Sequence, residues 1–164
     1  MSPARLALVG TITALLAGCT SPTRPEIDVQ LDLSLSAASA GPGDIVTATA
    51  TVRNLGKTAI YHCECCGCGV VDFGVLDHYG SPVEVVDPRT PRPACADDLT
   101  AALLPKKQKH AVLTFNGTLY DSTGSPYAAP RGKYTIIAQF TYRHSAVPSD
   151  HVSVLQKEAT LGWY

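Results

Sequence analysis

The chain has 164 residues, of which 45% are apolar and 16% are charged, and its formal net charge is −1 at pH 7. This length suits one domain around one hydrophobic core. The 13 basic residues against 14 acidic ones leave no strongly basic surface, so we expect no nucleic-acid partner. The one basic cluster, residues 106–109, follows a proline and is interpreted as a solvated turn.

The N-terminus has the three parts of an export signal. Arg5 supplies a positive charge, an uncharged apolar run covers residues 6–16, and small residues precede Cys19. The run is too short to cross a bilayer core of about 30 Å as a stable helix. We therefore predict a signal peptide over residues 1–18 rather than a membrane span.

The end of this signal, LAGC at residues 16–19, resembles the lipobox of bacterial lipoproteins. The resemblance implies cleavage before Cys19 and a diacylglyceryl thioether on its sulfur, so that lipid holds the chain to a membrane. Each buried methylene of an acyl chain contributes about 0.8 kcal/mol, and two or three chains anchor a protein firmly. Thr20 is not an acidic inner-membrane retention signal, which is compatible with an outer membrane. The alternative is an ordinary secreted protein in which Cys19 is structural.

After a short tether, residues 19–26, the sequence has the period of β-strands. Apolar and polar residues alternate over residues 27–35 and again over residues 46–53, so each strand has one apolar face. The 13 glycines and 12 prolines lie between such patterns as turn signals, for example around Asn54. The predicted inward faces are Ile27, Val29, Leu31, Leu33 and Leu35 in the first strand, and Val46, Ala48, Ala50 and Val52 in the second.

The same pattern continues to the C-terminus and predicts about seven to nine short strands. Only residues 97–104 could form a short helical turn. We therefore predict an all-β fold, a single immunoglobulin-like antiparallel β-sandwich over residues 27–164. The later predicted strands are residues 58–61, 71–75, 83–86, 111–115, 133–142, 152–155 and 160–163, with turns at 77–82 and 116–118.

Tyr134 follows a glycine turn and opens the longest of these strands. This position suits a tyrosine corner, in which the hydroxyl hydrogen-bonds back to the preceding loop. A plain core aromatic is the alternative.

The segment from Asp44 to Tyr142 resembles the intracellular proteinase inhibitor (BsuPI) family and its immunoglobulin-like relatives. The runs that carry the resemblance are TATVRNLGKTAIYH, VVDFGVLDHYGSPVEVV, LLPKKQKHAVLTF and PRGKYTIIAQF, in that order. They contain a strand ending in Asn, an Asp-x-x-Gly hairpin, a proline-led loop and Gly-x-Tyr. The resemblance implies the sandwich fold and, more specifically, protease inhibition. Phe115 stands near the place where the family favours Trp, and the cysteine cluster is not part of the family pattern.

Four cysteines fall within six residues, and Cys95 follows in a proline-rich segment. Once Cys19 is lipidated, the five remaining thiols cannot all pair within one chain. An oxidising envelope favours disulfides, and the first interpretation pairs Cys68 with Cys95. That bridge would constrain the unfolded chain by roughly 3 kcal/mol. A second bridge would join Cys63 to Cys66, because adjacent cysteines form a strained ring.

Two other interpretations of the cluster remain open. Cys63 and Cys66 have the spacing of a redox pair, but no helix is predicted nearby, and Glu64 would raise the pKa of a thiol. Thiolates are also soft ligands, and this spacing suits Cu(I) better than Zn. The candidate metal ligands are Cys63, Cys65, Cys66 and Cys68, assisted by His62 or Cys95.

The sequence contains no nucleophile elbow, no zinc-protease helix and no phosphate-binding glycine loop. Its five histidines are dispersed near predicted turns and strand ends, where solvation is the ordinary state. We therefore expect no catalysis and no cofactor. The predicted function is a binding module of the cell envelope, possessing an unidentified protein partner and facing the periplasm or exterior. Its hairpin loops and cysteine loop would carry recognition. The alternative is an envelope Cu(I)- or Zn-binding lipoprotein.

Overall fold

A computed structural model describes residues 29–63, 70–90, 100–147 and 149–164. In these ranges the chain is built of strands, and no helix is present that could span a bilayer. The strands are β1 (Val29–Leu35), β2 (Ser39–Ala40), β3 (Val46–Asn54), β4 (Ile60–Cys63), β5 (Asp72–Leu76), β6 (Thr100–Leu103), β7 (Gln108–Phe115), β8 (Thr118–Tyr120), β9 (Pro126–Ala128), β10 (Gly132–Arg143) and β11 (Val152–Trp163).

The strands form two main sheets and one small hairpin. The first sheet has the order β1-β3-β7, and the second has the order β2-β11-β10-β4-β6, with β5 also paired to β10. The chain passes from the first sheet to the second between β1 and β2, where β2 pairs in parallel with β11. The other named pairs are antiparallel, including β8 with β9. This confirms the predicted immunoglobulin-like sandwich.

The alternating strands supply the core between the sheets. The four predicted inward residues of β3 are all buried, while the threonines between them are partly exposed. In β1 only Leu31 is fully buried, and Val29, Leu33 and Leu35 pack partly buried against the core. Ile27 lies outside the described residues. The apolar faces of β1 and β3 thus point into the core, as the alternation of apolar and polar residues predicted.

Two buried clusters mark the two ends of the sandwich. One joins the start of β3 and β10 to the end of β7 and β11, around Val46, Phe115, Tyr134 and Trp163. We call this the Trp163 end. The other joins the end of β3, β6 and β10, around Val52, Leu103 and Tyr142. We call it the Val29 end, because Val29 pairs with Asn54, the last residue of β3.

Tyr134 forms the predicted tyrosine corner. Its ring is buried, with a 1% exposed fraction, and its hydroxyl donates a 2.8 Å hydrogen bond to the Pro130 carbonyl oxygen. Burial raises the pKa of this hydroxyl above its usual value. The residue therefore fills both roles considered for it, corner and core aromatic.

Several predicted elements differ in the structure. Thr100–Leu103 is a strand rather than part of a helical turn, because it completes a ladder with β4 and buries Leu103. A single helical turn offers no comparable gain.

Residues 83–86 form an isolated bridge, Glu84 with Tyr120, instead of a strand. The last two predicted strands are one, β11, and eleven described strands replace the expected seven to nine. Residues 97–99 lie outside the described ranges.

Candidate functional site

β4 leads directly into the cysteine-rich segment and separates two of the candidate ligands. His62 faces the core, with a 3% exposed fraction, whereas Cys63 is exposed. Successive side chains in a strand point to opposite faces of the sheet. The His62 imidazole and the Cys63 thiol therefore cannot bind the same ion while β4 keeps this conformation.

The His62 side chain packs as a core aromatic, which corrects the expectation of a solvated histidine. Its Nδ1 donates to the Cys63 carbonyl oxygen over 3.2 Å, and its ring centroid lies 5.8 Å from that of Phe140. Phe140 stacks on Tyr142 at 5.5 Å, and Tyr142 meets His144 edge to face at 5.6 Å. These four rings form a continuous row between β4 and β10. The alternation of a strand that starts at the apolar Ile60 places His62 on the inward face. The sequence therefore contained enough information to predict its burial.

The other four histidines are more accessible. His78, His110 and His151 are exposed, and His144 is partly exposed. His110 belongs to a polar network on the outer face of the first sheet, where its Nδ1 lies 2.9 Å from the Thr51 hydroxyl. Such solvated networks contribute little to stability.

Most of the sequence-predicted site lies outside the described residues. This applies to Cys19 with the predicted signal peptide and tether, and to Cys65, Cys66, Cys68 and Cys95 with the predicted Cys68–Cys95 disulfide. Within the described part of the chain, no group of three or more His, Cys, Asp or Glu side chains could hold a metal ion.

The β4–β6 ladder shows how the two cysteine-containing segments enter the fold. Cys63 pairs with Thr100 in antiparallel register. These two residues are the described neighbours of the cysteine cluster and of the segment that contains Cys95. The cysteine cluster therefore leaves the second sheet beside the point where the Cys95 segment enters it.

The Trp163 end carries two turns with the same sequence motif, DHYGSP at residues 77–82 and DSTGSP at residues 121–126. In the first, the Asp77 N–H donates to the Ser81 carbonyl at 2.9 Å and the Gly80 N–H donates to the Asp77 carbonyl at 3.0 Å. The corresponding bonds in the second turn measure 3.1 Å and 2.9 Å. The sequence predicted only the first turn, although the repeated motif would have identified the second.

Each turn is fixed further by its aspartate side chain. One carboxylate oxygen of Asp77 accepts the N–H groups of Tyr79 and Ser81, both at 2.9 Å. Asp121 does the same for Thr123 and Ser125, again at 2.9 Å. The glycines adopt φ angles of 79° and 82°, a left-handed conformation that suits glycine. The bonds from the Thr123 hydroxyl and the backbone lower the pKa of Asp121.

Neighbouring side chains brace both turns. The His78 ring packs near Gly132 and contacts the Tyr79 ring, with 3.7 Å between ring centroids. Arg89 lies over Gly124 and pairs with Asp87 at 2.8 Å. The hydrogen bond from Arg89 holds the pKa of Asp87 below its usual value.

Two tyrosines project from this braced surface. Tyr79 has an 81% exposed fraction, and Tyr127, beside the second turn in β9, is also exposed. Tyrosine offers a large contact area at low entropic cost, and rigid loops that present it are typical of binding surfaces. This arrangement can bind a partner by contact and needs no reactive group.

Comparison with known proteins assigns no family to the chain. No family model matches it, and no curated protein matches its sequence. Among solved structures, a β-glucosidase from Erythrobacter marinus shares 17% identity at a TM-score of 0.43, over 82% of this chain and 15% of that protein. A Listeria innocua β-glucosidase bound to glucose shares 15% identity at 0.41, over 85% of this chain and 16% of that protein.

The ASH/PapD-like domain 7 of human CEP192 shares 15% identity at a TM-score of 0.42, over 96% of this chain and 98% of that domain. In contrast to this domain, the two β-glucosidases are much longer, and the chain spans only about a sixth of their length. None of these likenesses assigns an activity to it.

Proposed function

We propose that this chain is a non-catalytic binding module of the cell envelope, held to a membrane by lipid on Cys19. The observation that carries the binding role is the surface of the Trp163 end. There two turns of matching geometry support the exposed Tyr79 and Tyr127 on a rigid sandwich. Loops on rigid scaffolds commonly carry recognition. The partner is expected to be another envelope protein.

The lipid anchor is supported by the export signal and the LAGC sequence that ends it. We expect the mature protein from an exporting bacterium to begin at Cys19 and to carry the mass of its acyl chains. Intact-mass measurement of membrane-extracted protein tests this. The Cys19→Ser chain should lack the acyl mass and leave the membrane fraction, and an unmodified Cys19 in the wild-type chain would refute the anchor.

Site-specific photo-crosslinking in intact cells tests the binding surface. A photoreactive phenylalanine analogue at Tyr79 or Tyr127 should give one crosslinked product of defined mass. The same analogue at Thr49, on the outer face of β3 away from the turns, is the matched control. Equal products from all three positions, or none from the tyrosine positions, would count against this surface.

Protease inhibition is the specific form of this function and is supported by the resemblance to the proteinase inhibitor family. The purified protein at micromolar concentration should slow at least one member of a panel of serine proteases. Replacement of Tyr79 by Ala should weaken that inhibition if the braced turns form the contact. Unchanged rates across the whole panel would eliminate this version and leave the general binding role.

We also propose that Cys68 of the cluster forms a structural disulfide with Cys95. The β4–β6 ladder supports it, because Cys63 pairs with Thr100 and so brings together the described ends of the two cysteine-containing segments. An oxidising envelope compartment favours pairing of the two thiols. Peptide mapping without reductant should recover both in one linked fragment. Separate alkylated peptides would contradict the pairing.

An envelope metal-binding lipoprotein is the second candidate, favoured by the exposure of Cys63 at the entrance to the cluster. The opposite orientation of His62 leaves Cys63, Cys65, Cys66 and Cys68 as the ligands, with Cys95 able to assist. Native mass spectrometry of the exported protein would show bound Cu or Zn. Serine at Cys63, Cys65 and Cys66 should abolish that mass in a metal protein, whereas a binding module should keep its fold and its crosslinks.

A further inference from the structure

Three turns leave the sandwich at the Val29 end. Residues 55–59 follow β3, residues 104–107 join β6 to β7, and residues 144–151 join β10 to β11. The first two are clasped together, because the Lys106 N–H donates to the Asn54 carbonyl at 2.7 Å and the Asn54 N–H donates to the Lys107 carbonyl at 3.0 Å. The third turn begins one strand away from the first, because Arg143 at the end of β10 pairs with Tyr61 of β4.

These turns expose aliphatic side chains. Leu55 and Leu104, one on each of the clasped turns, have exposed fractions of 49% and 53%. Val147 and Val152, in and beside the third turn, are exposed as well. Single exposed apolar residues are ordinary, but apolar side chains that share one end of a domain indicate a contact surface.

The two turns that carry these leucines also carry lysines. Lys57, Lys106 and Lys107 are exposed. The described residues of the three turns contain one acidic side chain, that of Asp150. Lys106 has a φ angle of 61°, the left-handed conformation that a turn normally assigns to glycine. A strained non-glycine residue at an exposed tip suggests that its side chain has a use there.

The opposite end has the opposite charge. The turns of the Trp163 end contain more aspartates than arginines, so an anionic surface would repel that end and attract the Val29 end. The charged residues in these turns are Asp44, Asp77, Asp87 and Asp121 against Arg89 and Arg131.

The N-terminal segment also leaves from the Val29 end. Val29 pairs with Asn54, and Asn54 leads directly into the turn that carries Leu55 and Lys57. Nine residues lie between Cys19 and Val29, and this stretch has an extended reach of about 35 Å. A lipid on Cys19 would therefore keep this end of the domain within reach of the bilayer.

We propose that the Val29 end is a membrane-contact surface for a bilayer with anionic headgroups. Leu55 and Leu104 enter the headgroup region, and Lys57, Lys106 and Lys107 pair with the lipid phosphates. The proposal rests on the lipid anchor at Cys19. It adds an orientation to that anchor, with Tyr79 and the two matching turns directed away from the membrane.

Fluorescence quenching by brominated lipids tests this orientation on the mature lipidated chain. Trp163 is buried and gives the same background in every variant. In vesicles of phosphatidylglycerol and phosphatidylcholine, the Leu55→Trp variant should show blue-shifted emission that brominated acyl chains quench. The Tyr79→Trp variant, at the opposite end, should keep the emission of a solvated indole. Equal quenching at both positions, or at neither, would overturn the proposal.

Charge reversal tests the role of the lysines. In the Leu55→Trp background, Lys57→Glu, Lys106→Glu and Lys107→Glu together should abolish the quenching, as should vesicles of phosphatidylcholine alone. The matched control makes the same change of charge elsewhere, with Arg131→Glu, Lys133→Glu and Lys157→Glu, and should retain it. Loss of quenching in both sets, or in neither, would refute lysine-dependent contact.

Flotation of the same vesicles separates this proposal from the anchor. A chain that floats but shows no preferred quenching at residue 55 has its anchor and lacks the contact surface. A chain that neither floats nor carries acyl mass refutes the anchor and the orientation together. A blue shift at residue 55 that grows with protein concentration in the absence of lipid would instead identify a contact between two copies and overturn the membrane assignment.

Discussion

Asn54 joins three parts of the Val29 end through one buried side chain. Its Nδ2 donates to the carbonyl oxygens of Thr58 and Leu103, both at 2.8 Å, and its Oδ1 accepts the Gly56 N–H at 3.0 Å. A buried polar group that loses its partner costs free energy because water cannot replace the bond. The sequence marks Asn54 as the start of a turn, but the bond to Leu103 depends on a strand 49 residues later.

Replacing Asn54 with Ala should lower the free energy of unfolding by about 3 kcal/mol, since three backbone groups lose their partner and two of these hydrogen bonds are buried. Urea unfolding followed by circular dichroism measures this change. Asn116→Ala is the control, because Asn116 is exposed and bonds one backbone N–H, that of Thr118. Similar losses for the two variants would show that burial of Asn54 is not the cause.

Removing the Tyr134 hydroxyl should lower stability and also change its pH dependence. Tyr134→Phe loses the bond to Pro130 and should cost about 1 kcal/mol at neutral pH. Burial raises the folded-state pKa of Tyr134 above the ordinary tyrosine value of about 10, so this contribution is complete below about pH 10 and is lost as the pH rises through the folded pKa. The wild-type chain should therefore lose more stability above that pH than the Phe variant. Tyr79→Phe, at an exposed position, is the control and should leave stability at neutral pH unchanged.

Close packing at the turn between β7 and β8 determines where glycine is required. Gly117 has a φ angle of 77°, and a Cβ built on it would collide with the Trp163 ring. Gly117→Ala should therefore cost about 3 kcal/mol, from both strain and overpacking. Gly74→Ala is the matched control within β5, where nothing lies within 4 Å and where alanine should be neutral or slightly stabilising. Thermal unfolding of the two variants distinguishes them, and equal melting temperatures would contradict the argument.

Elements with a strong period of two were predictable, and those that depend on a distant partner were not. The inward face of β3 followed from alternation alone, and β10 was the strongest predicted strand. β6 has no such pattern, and its strand conformation comes from the ladder with β4. β11 was divided in two by its polar middle, Gln156 to Glu158, yet β10 pairs with it over its whole length.

At the scale of the molecule, β1 is the first strand of the described residues and covers one edge of β3. All seven of its residues pair with β3, and Leu31 is buried between the sheets. A chain that begins at Glu26 should match the unfolding midpoint of one that begins at Thr20. A chain that begins at Ser36 should fail to fold, because the edge of β3 and its core cluster would be uncovered. A large loss of stability in the Glu26 chain would show that the folded domain begins before the predicted boundary at residue 27.

The sequence alone determined the fold class and the inward faces of its regular strands, because side-chain alternation in a strand is a local property. It also predicted an export signal, a tyrosine corner and several roles for the cysteines; of these the corner is confirmed and the others stay predictions. Only the tertiary structure turned His62 toward the core, matched the turns at Asp77 and Asp121 on one end, and gathered Leu55, Leu104 and three lysines on the other. These arrangements depend on which strands pair and in what register, and the residues that meet there are far apart in the chain.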